Sequence, residues 1–310
     1  MNSDGAQLSD ATPRSPEAGF GLPELLVSLV IVLVIFGVMT TGLAQMSTSQ
    51  RTIWNRTQMH SGVRGATELL QQEIGQAGRI TLPAPVTTTV AMPLGVNTVQ
   101  LTSVAGMYVG EKLVVGPSND EETVVVTAIA PATNAITAYF GNAHATNAPV
   151  QVLGGFATGI VPPTQAGGSN GSVLKLYGDI NGDGQMVYVE YTCDLNAGNL
   201  YRNMMSLTAA AKPPLTASNI LLTNVVANPG GAACFIYQTD TAGTQAYVTD
   251  VAVTLSVRTQ VADPITKQFQ TETKALLNVS PRNVVLVWQL GSLGLTSRIQ
   301  PTPPSVLGLL

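Results

Sequence analysis

The feature that most constrains the fold of this 310-residue chain is an uncharged apolar stretch near its N-terminus. No charged residue occurs from Leu25 to Gln50, and Leu, Val, Ile and Phe dominate its first part. Twenty residues of α-helix span about 30 Å, the thickness of the hydrocarbon core of a bilayer. Many of these residues are β-branched, which favours strands in water, but a single segment in lipid must pair its own backbone groups and therefore forms a helix. The sequence predicts a membrane-spanning helix over about residues 25–46.

A cleavable secretory signal peptide is the alternative, since Gly42-Leu-Ala44 supplies small residues of the kind found at cleavage positions. The uncharged stretch is longer than the usual apolar region of about 7–15 residues. The preceding segment holds Asp4, Asp10 and Glu17 against Arg14, so it lacks the basic region of a signal peptide. Both observations favour a retained anchor.

A carboxylate, Glu24, directly precedes the apolar stretch with no cation nearby in sequence. An ionisable group at a membrane segment is costly and by default functional, and its simpler interpretation is a place among the lipid headgroups. Residues 19–27 read GFGLPELLV. This string resembles the type IV prepilin cleavage and methylation motif, which has a Gly, then a Phe, then a Glu four residues after the Phe, and then an apolar helix. Pro23 suits the first helical turn, where its missing N–H costs nothing.

The resemblance implies a processing event and an assembly contact. Prepilin peptidase would cut between Gly19 and Phe20, remove residues 1–19 as a leader, and leave Phe20 as an N-methylated terminus. Glu24 would then pair with the cationic α-amine of Phe20 in a neighbouring subunit, because a carboxylate in a low dielectric must be neutralised. Arg51 and Arg56 follow the span, so the positive-inside rule alone favours the opposite orientation, and the motif is given precedence.

Helical spacing continues past the membrane segment to about Arg79. Apolar residues at this spacing are Ile53, Met59, Val63, Ala66, Leu70, Ile74 and Ala77. The pattern predicts an amphipathic extension on a globular head, ending at Gly78 and Pro83. A soluble-domain helix that follows an anchor would show the same pattern. One helix over residues 20–80, half in the membrane and half on a β domain, is the architecture that the motif implies.

The remaining chain predicts β structure, because short runs of Val, Thr, Ile and Tyr alternate with Gly, Pro and Asn. Residues 81–155 resemble a small β-barrel module that recurs as an insert in secreted and phage-associated proteins. Residues 156–290 are predicted to form the pilin-type β head, and residues 291–310 a Pro-rich C-terminal tail. The predicted fold class is α+β: a long N-terminal helix packed on an antiparallel β-sheet head, with an inserted β-rich module.

A loop between two predicted strands matches the EF-hand spacing for calcium. The candidate oxygen ligands are Asp179, Asn181, Asp183, Gln185 and Glu190. Both flanks read as strands, so Glu190 is placed to point away from the loop. The alternative is a hairpin turn, in which Asn, Asp and Gly are common because they tolerate positive φ. No other cofactor is predicted.

The two cysteines, Cys193 and Cys234, lie at predicted strand positions. In an extracytoplasmic head they predict one disulfide that closes a loop of about 40 residues, and two buried free thiols are the alternative. His144 is predicted to cap a loop, since no second metal ligand or catalytic partner is visible. With 14 Lys+Arg against 18 Asp+Glu and two histidines, the composition excludes a basic nucleic-acid binder and offers no catalytic constellation. The chain is not predicted to be an enzyme.

The C-terminal pattern resembles that of PilW-type minor pilins. The resemblance rests on the Asp-rich turn, Leu200-Tyr-Arg202, the alternating segment 248–258 and a closing strand that ends at Pro281-Arg-Asn283. It implies a minor subunit of a type IV pilus that primes or assists assembly, with a role in adhesion or motility. The implied partners are other major and minor pilins, prepilin peptidase and the inner membrane. The implied location is a single pass in the inner membrane with a periplasmic head, then the pilus fibre at the cell surface.

Two other interpretations stay open at this point. A J-type pseudopilin of a type II secretion system shares the motif and often binds calcium. A membrane-tethered extracytoplasmic binding module would use the anchor without maturation as a pilin.

Overall fold

The computed structural model describes residue 19 and residues 21–310. Its first element is α1 (Leu22–Gln76), a helix of 55 residues. The chain divides into two compact units after Ile53. In the N-terminal unit, apolar side chains from Leu22 to Met46 are exposed on every side of the helix. A helix that is apolar all round and exposed among the described residues of its unit matches the predicted anchor.

The hydroxyl groups of this helix bond back to its own carbonyl oxygens. The Oγ1 atoms of Thr40, Thr41 and Thr48 donate to the carbonyls of Phe36, Gly37 and Ala44 at 2.8–2.9 Å. Such back-bonding leaves no free side-chain donor at these positions. The predicted spanning segment therefore satisfies its hydroxyl groups without water.

In the second unit, residues 86–152 form a group of short strands. These are β1 (Val86–Thr87), β2 (Gly95–Gln100), β3 (Lys112–Val115), β4 (Glu122–Val125), β5 (Ala128–Ala130), β6 (Ala135–Phe140) and β7 (Pro149–Val152). They pair antiparallel in the orders β1-β7-β3-β4 and β2-β6-β5. Their inward side chains share a hydrophobic core made only of residues between 82 and 152, inside the predicted module boundaries of 81–155.

The rest of the second unit contains several longer strands, three strands of two residues and two short helices. These are β8 (Gly155–Phe156), β9 (Val173–Gly178), β10 (Val187–Asp194), β11 (Asn199–Ser206), β12 (Ile220–Thr223), β13 (Val225–Val226), β14 (Phe235–Ala242), β15 (Gln245–Arg258) and β16 (Thr271–Val279), followed by α2 (Arg282–Ser292), β17 (Ile299–Gln300) and α3 (Pro304–Leu309). One antiparallel sheet has the order β12-β11-β10-β9. A second is centred on β15, which pairs antiparallel with β13, β14 and β16. The long helix and these antiparallel sheets confirm the α+β class.

The C-terminal half of α1 packs between these sheets. Its buried apolar residues Met59, Val63, Ala66, Leu70 and Ile74 recur at the predicted helical spacing. Inward residues of both sheets complete the core: Leu174, Leu176, Val189, Tyr191, Val251, Val253 and Leu255. The predicted alternation is confirmed for Val251, Val253, Leu255 and Val257, which are buried, whereas Ala252 and Thr254 between them are only partly buried.

The helix ends where the backbone comes very close to a neighbouring loop. Gly78 has φ +81, and its N–H donates to the Tyr177 carbonyl at 2.9 Å. A Cβ placed on Gly159 would lie 2.2 Å from the Cα of Gly78. The amide of Asn283, in α2, donates to the carbonyl of Gln76 at 3.2 Å. The last carbonyls of α1 thus receive a partner from a distant part of the chain.

The C-terminal region differs from the predicted closing strand that ends in Arg-Asn. The strand ends at Val279, and Arg282 and Asn283 begin α2 instead of closing the strand. Residues 291–310 carry β17 and α3, and Val306 and Leu309 are buried. Burial of these side chains makes the tail part of the folded head.

Candidate functional site

The first turn of α1 carries the carboxylate that the sequence motif singles out. Glu24 lies two residues after the helix begins, and its Oε2 accepts the N–H of Gly21 at 3.4 Å. The carbonyl of Gly21 in turn accepts the N–H of Glu24 at 3.0 Å and that of Leu25 at 3.1 Å. A carboxylate in this position is favoured by the unpaired N–H groups and the dipole at a helix N-terminus.

The surroundings of Glu24 are apolar and uncharged. Leu22 and Leu25 are 78% and 60% exposed, and Glu24 is exposed with them. The next charged residue along the helix is Arg51, which lies about 40 Å away at 1.5 Å per residue. Glu24 forms no ion pair with any residue that the structure describes. The described part of this site is therefore one carboxylate acceptor, that of Glu24, on an apolar stretch of helix.

The predicted cleavage position is only partly described. Gly19 is exposed and non-helical, and a side chain added there would meet nothing within 4 Å. Phe20 and the predicted leader before Gly19 lie outside the described residues. The α1 helix is long and apolar enough to cross a membrane, judged by length and composition.

The predicted calcium ligands begin with a buried carboxylate that already has partners. Asp179 is 1% exposed, and its Oδ1 accepts the N–H of Asp183 at 3.1 Å. Its Oδ2 accepts the Thr81 hydroxyl at 3.3 Å and lies 3.7 Å from Nε of Arg79. In this arrangement Asp179 fastens the loop to the chain that follows α1.

The other predicted ligands do not converge on Asp179. Asn181 donates to Sδ of Met204 at 3.8 Å, and Gln185 contributes its N–H to Asp183. Glu190, on β10, lies directly opposite Lys175, on β9. It is three residues along the strand from the end nearest the loop, a distance of about 10 Å. Among the described residues, no group of three or more His, Cys, Asp or Glu side chains could hold a metal ion. Calcium binding by the loop alone stays a prediction.

Glu190 belongs instead to a buried cluster of charges. Its Oε2 lies 2.6 Å from Nζ of Lys212 and 3.8 Å from Nζ of Lys175. It also accepts the hydroxyl of Tyr188 at 3.3 Å. Burial and the charge of Lys212 lower the pKa of Lys175, and Glu190 opposes this shift. Lys175 also donates to the carbonyl of Gly167 at 2.6 Å, so the cluster holds loop 161–172 on the sheet.

A second buried charge pair was missed by the sequence analysis. Glu73, on α1, is 3% exposed and receives two N–H groups of Arg202 and the hydroxyl of Tyr191 at 2.5 Å. Burial is the largest cause of the raised pKa of Tyr191, and the nearby carboxylate adds to it. Arg202 belongs to the segment Leu200-Tyr-Arg202, which the sequence singled out. Nothing in the sequence indicated that its partner is Glu73.

The cysteine prediction is confirmed, because Cys193 and Cys234 form a disulfide. It joins β10 to the chain just before β14, and so links the two sheets that enclose α1. His144 is 4% exposed, with Nε2 2.7 Å from Glu122 and Nδ1 3.5 Å from Asp120. The histidine thus lies between two carboxylates in the residue 86–152 module.

Comparisons of the chain with protein-family models, with curated proteins and with solved structures find no match.

Proposed function

We propose that the chain is a minor pilin subunit of a type IV pilus, matured by prepilin peptidase and active in pilus assembly or priming. The observation that carries the proposal is the isolated Glu24 carboxylate at the start of an exposed, uncharged helix. A residue of this type in this place is expensive to keep in a membrane, so its retention is explained by a partner outside the chain.

The mechanism follows from the electrostatics of that helix. A carboxylate among apolar side chains is stabilised by a cation that approaches without bringing water. The free α-amine of a second subunit's Phe20, which cleavage after Gly19 would create, would supply such a cation. Pairing would fix the axial register of one helix against the next, while apolar contacts supply most of the association energy. The head would then be displayed outside the membrane.

The first test is the identity of the mature N-terminus, read by intact mass and tandem mass spectrometry of protein recovered from membranes. The expected result is a chain that begins at Phe20 with a methylated amine. A chain that begins near Gln45 would show signal-peptide cleavage and overturn the proposal. Gly19→Leu is expected to leave the leader attached, and because position 19 has open space, that result would report on the peptidase and not on folding.

The second test separates assembly from processing. Glu24→Ala is expected to be cleaved normally but to be lost from sheared surface fibres, because the amine of the neighbour would find no counter-charge. Glu68→Ala is the matched control, since Glu68 lies on the same helix and, within the described part of the chain, its ion-pair partner is the exposed Arg64 at 2.7 Å. Normal recovery of Glu24→Ala in fibres would contradict the assigned role. Composition of the recovered fibre distinguishes a pilus from a type II secretion fibre.

A further inference from the structure

The outer face of the sheet β2-β6-β5 is unusual because it contains no charged residue. None of the residues 95–100, 128–130 and 135–140 is Asp, Glu, Lys or Arg, and the whole segment from Ile80 to Gly110 is uncharged. This uncharged face also exposes the large side chains of Val96 and Tyr139. Exposed apolar patches commonly mark interaction sites, so the face is a candidate contact surface.

The side chains on this face form two rows with different chemistry. Val96 and Tyr139 are directly opposed in the ladder and are 73% and 64% exposed. The next opposed pair on the same face, two residues further along the strands, is Thr98 and Thr137, whose hydroxyls lie 2.9 Å apart. Alternate residues on the same strands, such as Ile136, point into the core of the module, so the outward orientation is fixed by the register.

The combination of an aromatic–aliphatic platform and a row of hydroxyls fits a neutral sugar polymer. A pyranose ring has apolar C–H faces that can lie on Val96 and Tyr139, and a rim of hydroxyls that can bond to Thr98, Thr137 and the exposed Gln100. Tyr suits a contact that is partly exposed to solvent, because its ring is apolar and its hydroxyl can bond to polar groups. An anionic ligand would find no counter-charge on these strands.

The size of the face argues against a protein partner. A strand of six residues is about 20 Å long, and three strands are about 10 Å wide between their outer axes, so the face covers roughly 200 Å². A stable protein interface buries about 800 Å² on each partner. The face is thus too small for a second copy of the chain, but it is long enough for several sugar rings in a row.

We propose that the outer face of β2-β6-β5, centred on Tyr139 and Val96, is a binding site for a neutral polysaccharide. Its residues belong to a module with its own hydrophobic core, so the proposal does not depend on processing at Gly19 or on the role of Glu24.

The test measures retention of the full chain on insoluble neutral polysaccharides (cellulose, chitin and cross-linked amylose) and on alginate beads as an anionic comparison. The protein is kept in a detergent without a sugar headgroup. The expected result is retention on at least one neutral polymer that does not change between low and high salt, because no ionic contact contributes. Tyr139→Ala is expected to weaken retention at least about tenfold, a loss in the range of a single aromatic contact. Tyr139→Phe is expected to keep most of it.

The matched control is Ile265→Ala, which removes an equally exposed apolar side chain (71%) elsewhere in the unit. Unchanged hydrogen exchange at Val99 and Ile136 in Tyr139→Ala would show that the sheet is intact. Retention on none of the neutral polymers, equal retention of the native chain and Tyr139→Ala, or binding to alginate alone would each overturn the proposal. Self-association that depends on Tyr139, seen by light scattering without retention, would instead make the face an interface between copies.

Discussion

Replacing Glu111 with Gln is expected to change how the stability of the head depends on pH. Glu111 is 0% exposed and lies just before β3. Its Oε2 accepts the N–H of Tyr108 at 3.2 Å, and its Oε1 has no hydrogen-bond partner among the described residues. Burial raises the pKa of this carboxyl from 4.5 to about 8, although the bond from Tyr108 opposes the shift. Glu111 is therefore mostly protonated in the folded chain at pH 7.

The sign of the effect follows from proton uptake. The unfolded chain has an ordinary carboxyl, so between pH 4.5 and about 8 the folded state binds more protons than the unfolded state. Stability from this group is then present at low pH and falls as the pH rises through that window. At pH 7, which is 2.5 units above the ordinary value, the loss is about 3 kcal/mol at about 1.4 kcal/mol per unit. Gln carries no such dependence.

The neighbourhood makes the effect observable. The N–H of Lys112 donates to Oε1 of Gln300 at 3.0 Å, and Nε2 of Gln300 donates to the carbonyls of Lys112 and Leu153 at 2.9 and 3.2 Å. These bonds join the module to the C-terminal segment beside Glu111. Ionisation of Glu111 should therefore loosen this junction first.

The assay is urea unfolding of the full chain in detergent, with hydrogen exchange at residues 108–112, at about pH 5 and about pH 8. The native chain should lose about 3 kcal/mol or more relative to Glu111→Gln across this interval. Comparison of the two slopes removes the constant cost of an unpaired Gln amide, which is about 1–3 kcal/mol. Parallel pH profiles for the two chains would refute the reasoning.

Three further outcomes are expected from the buried contacts. Arg202→Ala should lower the free energy of unfolding by about 3–5 kcal/mol, because Glu73 would stay buried without its cation, and a urea midpoint close to native would contradict this. Reduction of the Cys193–Cys234 disulfide should cost about 4 kcal/mol in the chain-entropy model, measured as the difference between unfolding with and without reductant. Calorimetry with calcium tests the loop: heat that Asp179→Ala abolishes would support the sequence prediction, and the absence of heat with the native chain would exclude a site in that loop.

Sequence periodicity predicted correctly the elements whose buried side chains all lie on one continuous face. Met59, Leu70 and Ile74 recur at helical spacing because one stripe of α1 meets both sheets at once. Val251 and Val253 alternate because one side of β15 faces the same core. In both cases the spacing of apolar residues matches the face that is buried, so the spacing alone was sufficient to predict the element.

The α2 helix was missed because its local preference opposes its final structure. Residues 282–292 read RNVVLVWQLGS, a β-branched and aromatic run that favours strands. Packing decides instead, since Val284 and Val287 are three residues apart and both 0% exposed against Tyr247 and β8. Tertiary contacts of this kind override propensities worth less than about 1 kcal/mol per residue.

The loop from Asp179 to Glu190 shows the opposite limit, in which the EF-hand spacing is present but the twelfth residue lies on a strand. An EF-hand brings its twelfth residue back to the ion on a helix, whereas Glu190 continues along a strand opposite Lys175. The same residue then meets Lys212, more than twenty positions later, through a loop that no local pattern specifies. Pairings such as Glu73 with Arg202 depend equally on how distant segments are brought together.

The distribution of charge distinguishes the surface proposed for assembly, on α1, from the surface proposed for ligand binding, on β2-β6-β5. Only about a tenth of its residues are charged, and several of these, including Glu73, Lys175, Glu190 and Arg202, are paired inside the head. The first part of α1, from Leu22 to Gln50, and the β2-β6-β5 face are left uncharged, the first with the single exception of Glu24. A neutral helix can enter and leave a bilayer, and a neutral face binds without dependence on salt. Under the two proposals, Glu24 would set the register between subunits, while the uncharged face would bind its ligand without an ionic contact.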